Sequence, residues 1–387
     1  MLAVPTAPAR PARAAARSAW RRPVVGWTIL FGGAVGAWLL GPASDYEAFL
    51  FNLFLAYVVV SLGTVFLVGW AGQVSFAQAA FFGIGAYLTA HLARGADPGY
   101  PITLIVAATG AACFALPMAI PAVRLRGIYL ALATLAYQAA IERFLFRQIW
   151  FTLGGESIAI GNPQLVGGAT LGSARALSLA AVPLVVLLFL ALRAVRRSKV
   201  GRALIGQHRR EAAMAACGVP IPRYRLLAFV TAAWLAGAGG SLFTYALNSA
   251  PGSNEYTIVK STVLLAIPVI GGITRLSGAV VGSAVFVTLP EILRRFDIRN
   301  FNVSAVMGLG LFLTAVLLRG GILGYLDRVR ARERQRYAWL APAPKPVPTP
   351  GNGAARRSLR LTLSRGRQLW ISPNGHSGEE VRVDAGR

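Results

Sequence analysis

From Ala48 to Ala93 the chain runs 46 residues without one Asp, Glu, Lys or Arg. As a single helix that run would be roughly 69 Å long at ~1.5 Å per residue, against a hydrocarbon core of ~30 Å. It must cross or re-enter a bilayer at least twice. The remainder agrees, since 55% of the 387 residues are apolar and 14% charged, where soluble domains average about 45–50% and about 25%. The expected fold class is all-α: a polytopic integral membrane protein with about 8–10 transmembrane or re-entrant helices.

Rare residue types exclude several chemistries. Two cysteines, Cys113 and Cys217, cannot make a disulfide scaffold, a Cys-rich zinc site or a Cys-ligated iron–sulfur cluster. His91, His208 and His376 lie far apart, and nothing resembles HExxH. Lys199, Lys260 and Lys345 follow Ser, Val and Pro, so no Gly-Lys-Ser/Thr phosphate loop exists. The chain is therefore expected to bind no metal and no ATP of its own, and to be no enzyme.

The net charge of +25 would suggest nucleic acid in a soluble protein. Its distribution points to topology instead. Residues 1–23 carry Arg10, Arg13, Arg17, Arg21 and Arg22 and no acid, and an apolar run follows over 24–40. The long basic leader, without a clear small-x-small site, reads as an uncleaved first helix rather than a signal peptide. Between Arg193 and Arg225 stand nine basic residues and one acid, Glu211. The segments around Asp45, Glu156 and Glu255 are neutral or acidic. By the positive-inside rule the N-terminus, the 196–225 loop and the C-terminal tail are cytoplasmic. Arg294, Arg295 and Arg299, on an expected outer loop, fit this less well.

The chain thus divides into a basic N-terminus (1–23), a membrane domain (24–325) and a basic tail (326–387) with the proline-rich spacer Ala341–Pro350. The tail is expected to be disordered. Within the membrane domain, apolar segments lie near 48–70, 74–92, 102–121, 127–146, 177–195, 226–247, 258–273, 278–293 and 303–318. Pro117, Pro121, Gly237 with Gly239 and Gly240, Pro268, Gly271 and Gly272 are expected to interrupt some of them, making half-helices or re-entrant segments.

Three stretches carry the functional signal. In Gly72–Tyr87, Gln73, Ser75 and Gln78 place uncharged polar groups in apolar surroundings, followed by Gly83 and Gly85. Such groups line a solute path or hydrogen-bond between helices with the glycines as packing notches. The stretch Ser198–Gly218 mixes helix formers with Arg and Glu and ends on Gly before Pro220; it is a surface helix or a docking element. Ile270–Gly282 reads as a tight turn between two helices with Gly278 and Gly282 as a GxxxG face. Glu142, Lys260 and Glu291 lie near expected helix ends, and no chain of buried carboxylates suggests a proton relay.

Gly72-Gln-Val-Ser-Phe-Ala-Gln-Ala-Ala-Phe-Phe-Gly-Ile-Gly-Ala-Tyr87 resembles the GQ-[LV]-S-x3-A-x-F-x-G-x-G-A-Y element of branched-chain amino-acid ABC permeases of the LivM/LivH type. Arg124, Gly127, Tyr129, Ala131, Thr134 and Leu135 match the spacing of a second element, R-x-x-G-x-Y-x-A-x-x-T-L. Gly201-Arg-Ala-Leu204 with Glu211-Ala-Ala213, and the Ile270–Arg294 region, resemble two more in the same order. The LivM-like half fits the length and the arginine-rich start.

The resemblance implies a bacterial inner-membrane importer subunit for branched-chain or related hydrophobic amino acids. It also implies a second homologous permease subunit, two ATP-binding subunits that supply the nucleotide site, and an extracytoplasmic solute-binding protein. No nucleic-acid partner is implied. Gln73, Ser75, Gln78, Gly83, Gly85, Gly154 and Gly155 become substrate-pathway candidates. Gly201, Arg202, Ala203, Leu204, Arg210, Glu211, Ala212, Ala213 and Gly218 become the ATPase-coupling candidates. Thr152-Leu-Gly-Gly-Glu-Ser-Ile158 keeps two glycines of a family outer-loop motif and loses its later Asn/Asp-Gly. That departure keeps urea or a short amide open as cargo. Four residues, not three, separate Ala213 from Gly218.

Overall fold

A computed structural model describes residues 44–95, 98–125, 127–152, 157–166, 170–295, 360–362, 368–371 and 377–380. The apolar segments expected near 24–40 and 303–318, together with Gly154 and Gly155, lie outside the described residues. The chain divides into two compact units, Met1–Val329 and Arg330–Arg387.

Helix α1 spans Asp45–Thr64 and widens into a π-helical turn over Val65–Trp70. Ser44 and Glu47 close a reciprocal capping box at its start, where Asp45 and Glu47 also suit the positive helix end. After an irregular stretch over 71–77, α2 runs Gln78–Arg94, α3 Ile102–Ala122 and α4 Ile128–Ala140, the last extended as a π-helical turn over Ile141–Leu145. A single turn, α5, covers Ile149–Thr152. Helix α6 spans Ala174–Arg197, followed by two short helices, α7 (Lys199–Arg209) and α8 (Glu211–Ala216). Helices α9 (Ile221–Leu247), α10 (Ile258–Gly271) and α11 (Leu276–Arg295) follow.

Among the described residues, four helices are long and apolar enough to cross a membrane: Asp45–Trp70, Ile102–Ala122, Ala174–Arg197 and Ile221–Leu247. The pair Ile258–Gly271 and Leu276–Ile292, bent by 116°, forms a fifth, broken span or a re-entrant loop. The protein is an all-helical polytopic membrane protein, with only one two-residue strand pair, β1 (Ile158–Ala159) and β2 (Ser249–Ala250), inside the first unit's described residues.

Helix α9 is the hub, packed against α1, α2 and α3. Its glycines set the distances. A Cβ on Gly240 would lie 1.9 Å from the Phe82 carbonyl oxygen of α2, and one on Gly239 would lie 2.3 Å from a Val60 methyl of α1. Without a strong hydrophobic drive between helices in lipid, such close backbone contact is what holds them together. The expected breaks at Gly237–Gly240 and Pro117 are absent, because α9 and α3 run straight through them. The break expected at Gly271 and Gly272 is present as the 272–275 turn, and a further one falls at 71–77; Gly272 (φ +122) and Gly72 (φ +71) adopt backbone there that other residues resist.

In the second unit three strands pair antiparallel in chain order: β3 (Arg360–Thr362), β4 (Gln368–Ile371) and β5 (Ser377–Glu380). Arg360 pairs with Trp370 and Gln368 with Glu380. These short strands are what the structure describes of the tail. Two sequence signals account for them: Leu369-Trp370-Ile371 is rich in strand-forming residues, and Asn374-Gly375 is a favoured hairpin dipeptide between β4 and β5.

Candidate translocation and coupling sites

The break at 71–77 gathers the first set of expected site residues. Gln73, Ser75 and Gln78 are all buried. The Ser75 hydroxyl accepts from the Ala77 amide (3.3 Å), tightening the turn into α2. Helix α2 opens on Ala77, which offers no side-chain cap, so its exposed amides need partners from elsewhere. Three other side chains supply them. Thr134 of α4 accepts from the Phe76 amide (3.0 Å), Ser261 of α10 from the Ala79 amide (3.2 Å) and Gln138 of α4 from the Ala80 amide (2.7 Å). Ser261 also donates to the Phe76 carbonyl, and Gln138 donates to the Tyr256 carbonyl (2.8 Å). The start of α2 is thus capped in trans by two neighbouring helices.

Polar capacity remains in the same place. Both amide atoms of Gln73 and the Gln78 carbonyl oxygen are buried without a hydrogen-bond partner. Buried polar atoms left unpaired are unfavourable by about 1–3 kcal/mol each, so the break holds acceptors and donors that water or a passing solute can use. Gly83 and Gly85 play a different local part. A Cβ on Gly85 would lie 2.2 Å from the Gly237 carbonyl oxygen, and one on Gly83 would meet Phe146 and Tyr256 at 2.7 Å. Gly85 thus sits at the crossing with α9 and Gly83 under two aromatic rings, both tightly packed.

The second set, around α7 and α8, is brought together as one element. Ser198 caps α7 through the Gly201 amide (3.5 Å), and Gly201 lies so close to α6 that a Cβ would be 2.3 Å from the Val195 carbonyl oxygen. The Arg202 guanidinium donates to the Arg197 carbonyl (2.8 Å), while Ala203 and Leu204 are buried. Glu211 opens α8 and pairs with Arg225 of α9 (2.8 Å), which also donates to the Val123 carbonyl at the end of α3 (3.2 Å). Arg210, Ala212, Ala213 and Gly218 are exposed, and Gly218 (φ +76) makes the turn that ends the element.

One contact joins the two sets. A Cβ on Gly72 would fall 1.9 Å from Nδ1 of His208 in α7, so the histidine ring lies directly on the backbone of the break. Neither His208, Gln138 nor Ser261 stands out as a site residue in the sequence. Thr134 and Gln138 could be found there, four residues apart in an otherwise apolar helix with Leu130 preceding them by four; His208 and Ser261 could not.

An all-helical membrane bundle with an interrupted span, buried uncharged polar groups at the interruption and a short helical element leaning on it defines a solute permease. The chain belongs to the family described as "Branched-chain amino acid transport system / permease component", which matches residues 47–314. It is similar to the high-affinity branched-chain amino acid transport system permease protein LivM of Escherichia coli K12, with 28% identity over 269 residues. That match covers 64% of this chain and 63% of the relative. The LivM protein of Salmonella typhimurium LT2 is likewise 28% identical over 266 residues, covering 63% and 62%. The chain therefore spans less than two thirds of the length of these curated relatives. No solved structure matches it.

Proposed function

We propose that this chain is a membrane-spanning subunit of an ATP-driven importer of branched-chain or related hydrophobic amino acids in a bacterial inner membrane. In this reading its N- and C-termini and the 196–225 loop are cytoplasmic. A second homologous permease subunit completes the path, two partner subunits bind and hydrolyse ATP, and an extracytoplasmic binding protein delivers the solute. The chain itself performs no bond chemistry.

The observation that carries the reading is the link from α8 to the break. The exposed alanines Ala212 and Ala213 offer a smooth docking face. Movement pressed on that face passes through Glu211 and Arg225 into α3 and α9, and through His208 into Gly72. Gln73, Ser75 and Gln78 line the path where this movement arrives; beside it Gly85 sets how closely α2 approaches α9, and Gly83 leaves room for the Phe146 and Tyr256 rings. Alternating access then needs no charge within the break, only two packings of α2 whose balance nucleotide binding shifts.

The test is uptake of labelled leucine and labelled urea by cells with and without the gene. Loss of leucine uptake alone supports the reading. Loss of urea uptake alone keeps the transporter and changes its cargo, a second reading favoured by the unpaired amide of Gln73 and the unpaired carbonyl oxygen of Gln78. Unchanged uptake of both leaves the cargo assignment without support.

A further inference from the structure

Lys260 stands where helix chemistry argues against it. Thr257 caps α10 by accepting from the Lys260 amide (3.5 Å), which makes Lys260 the third residue of the helix. That position favours an acid, since the helix start carries a partial positive charge. The chain also has only three lysines among its 39 basic residues. A residue that breaks a local rule is held there by its neighbours, and such sites are where function is looked for.

Its surroundings are specific. Lys260 Nζ is 3.0 Å from a Glu255 carboxylate oxygen, 5.9 Å from the centre of the Tyr57 ring and 5.6 Å from that of Phe243. Phe82 packs on Phe243 (5.2 Å between ring centres) and Phe286 packs edge-on against Tyr57 (4.7 Å). The result is an ion pair on an aromatic floor. Tyr57 lies near the middle of the 26-residue span Asp45–Trp70, roughly 18 Å along it at ~1.5 Å per residue. The pair is therefore deep in the bundle, yet the Glu255 side chain is 52% exposed and that of Lys260 19%. Charges at such depth are tolerated where they face a water-filled path.

We propose that Lys260 and Glu255, above the Tyr57 and Phe243 rings, form a recognition site for the zwitterion of an apolar α-amino acid. The proposal rests on the importer reading above. The Lys260 ammonium takes the substrate carboxylate, Glu255 takes the substrate ammonium, and the rings take the aliphatic side chain. The resident ion pair opens as the substrate enters, so one pair is exchanged for two and no charge is left unmatched. A neutral amide such as urea offers no such exchange.

The test uses the assembled transporter, both permease subunits with both ATP-binding subunits, in lipid nanodiscs without the binding protein. Binding of tritiated leucine is measured in competition with leucinamide, which lacks the carboxylate, and 4-methylvalerate, which lacks the ammonium. Wild type is expected to bind leucine and to be displaced poorly by either analogue. Lys260→Met and Glu255→Gln are each expected to weaken leucine binding about tenfold or more, the loss of one charge-assisted contact. Lys260→Arg, which keeps the charge, is expected to retain most of it. Should Lys260→Met fail to assemble, the analogue competition on wild type still decides. Displacement by 4-methylvalerate as effective as by leucine, or no leucine binding by wild type, overturns the site. Leucine uptake that requires this gene, with binding untouched by both neutralising variants, refutes the site alone. Urea uptake in place of leucine refutes the importer reading and the site with it.

Discussion

Replacing Gly72 with Ala tests whether the short helices and the break move together. The backbone there is left-handed (φ +71), and the new methyl would sit 1.9 Å from His208 Nδ1. Holding a residue with a side chain in that conformation is unfavourable by roughly 1–2 kcal/mol. The ring must also be displaced, because no real Cβ contact is so short. Together these shift the balance of packings at the break by a factor on the order of 5–30. The assay is leucine transported per ATP hydrolysed by the assembled complex in proteoliposomes, for Gly72→Ala, His208→Ala and the double variant. Gly72→Ala is expected to lower that ratio at least fivefold, and His208→Ala in the same chain to recover part of it. The recoverable part measures the clash, the remainder the backbone preference. An unchanged ratio for Gly72→Ala, or strictly additive effects, would refute the argument that His208 transmits movement to the break.

Gln138→Ala removes an acceptor for the Ala80 amide and a donor to the Tyr256 carbonyl. Loss of a helix cap and a buried partner is worth about 2 kcal/mol, and a melting point lower by roughly 2–4 °C in detergent is expected; an unchanged melting point would show that the trans-cap does not hold α2. Gly240→Ala puts a methyl 1.9 Å from the Phe82 carbonyl oxygen. Forcing α2 and α9 apart is expected to destabilise by about 1–3 kcal/mol, read as less monodisperse protein on size-exclusion chromatography, and full recovery would refute the close-packing account of the hub. Glu211→Arg places two guanidiniums together where Arg225 holds a carboxylate. Co-purification of the ATP-binding subunits is expected to be lost while expression persists; retained association would remove α8 from the docking face.

The sequence by itself determines what depends on composition along the chain. A charge-free run such as Ala48–Ala93 is mostly helical in lipid, since a lipid-facing helix satisfies its own backbone, and its one irregular stretch, 71–77, is satisfied by neighbouring helices. The family elements at 72–87, 124–135 and 201–218 are equally legible, because each is carried by residue types at fixed local spacing. Gly201, Ala203 and Leu204 fall in α7 and Glu211 opens the adjacent α8. Helix interruption is read less well. Gly237–Gly240 looks like a break but is a contact surface, because in a membrane bundle a missing side chain serves a neighbour's approach as readily as a turn. Only the tertiary structure decides which polar groups meet. Ser261 reaches the start of α2 from 182 residues away, His208 meets Gly72, and Lys260 faces Tyr57 and Phe243. None of these pairs leaves a local pattern, because each depends on how α2, α7, α9 and α10 are placed around one another. Hydropathy places a helix in the membrane, but it does not say which helix stands beside it.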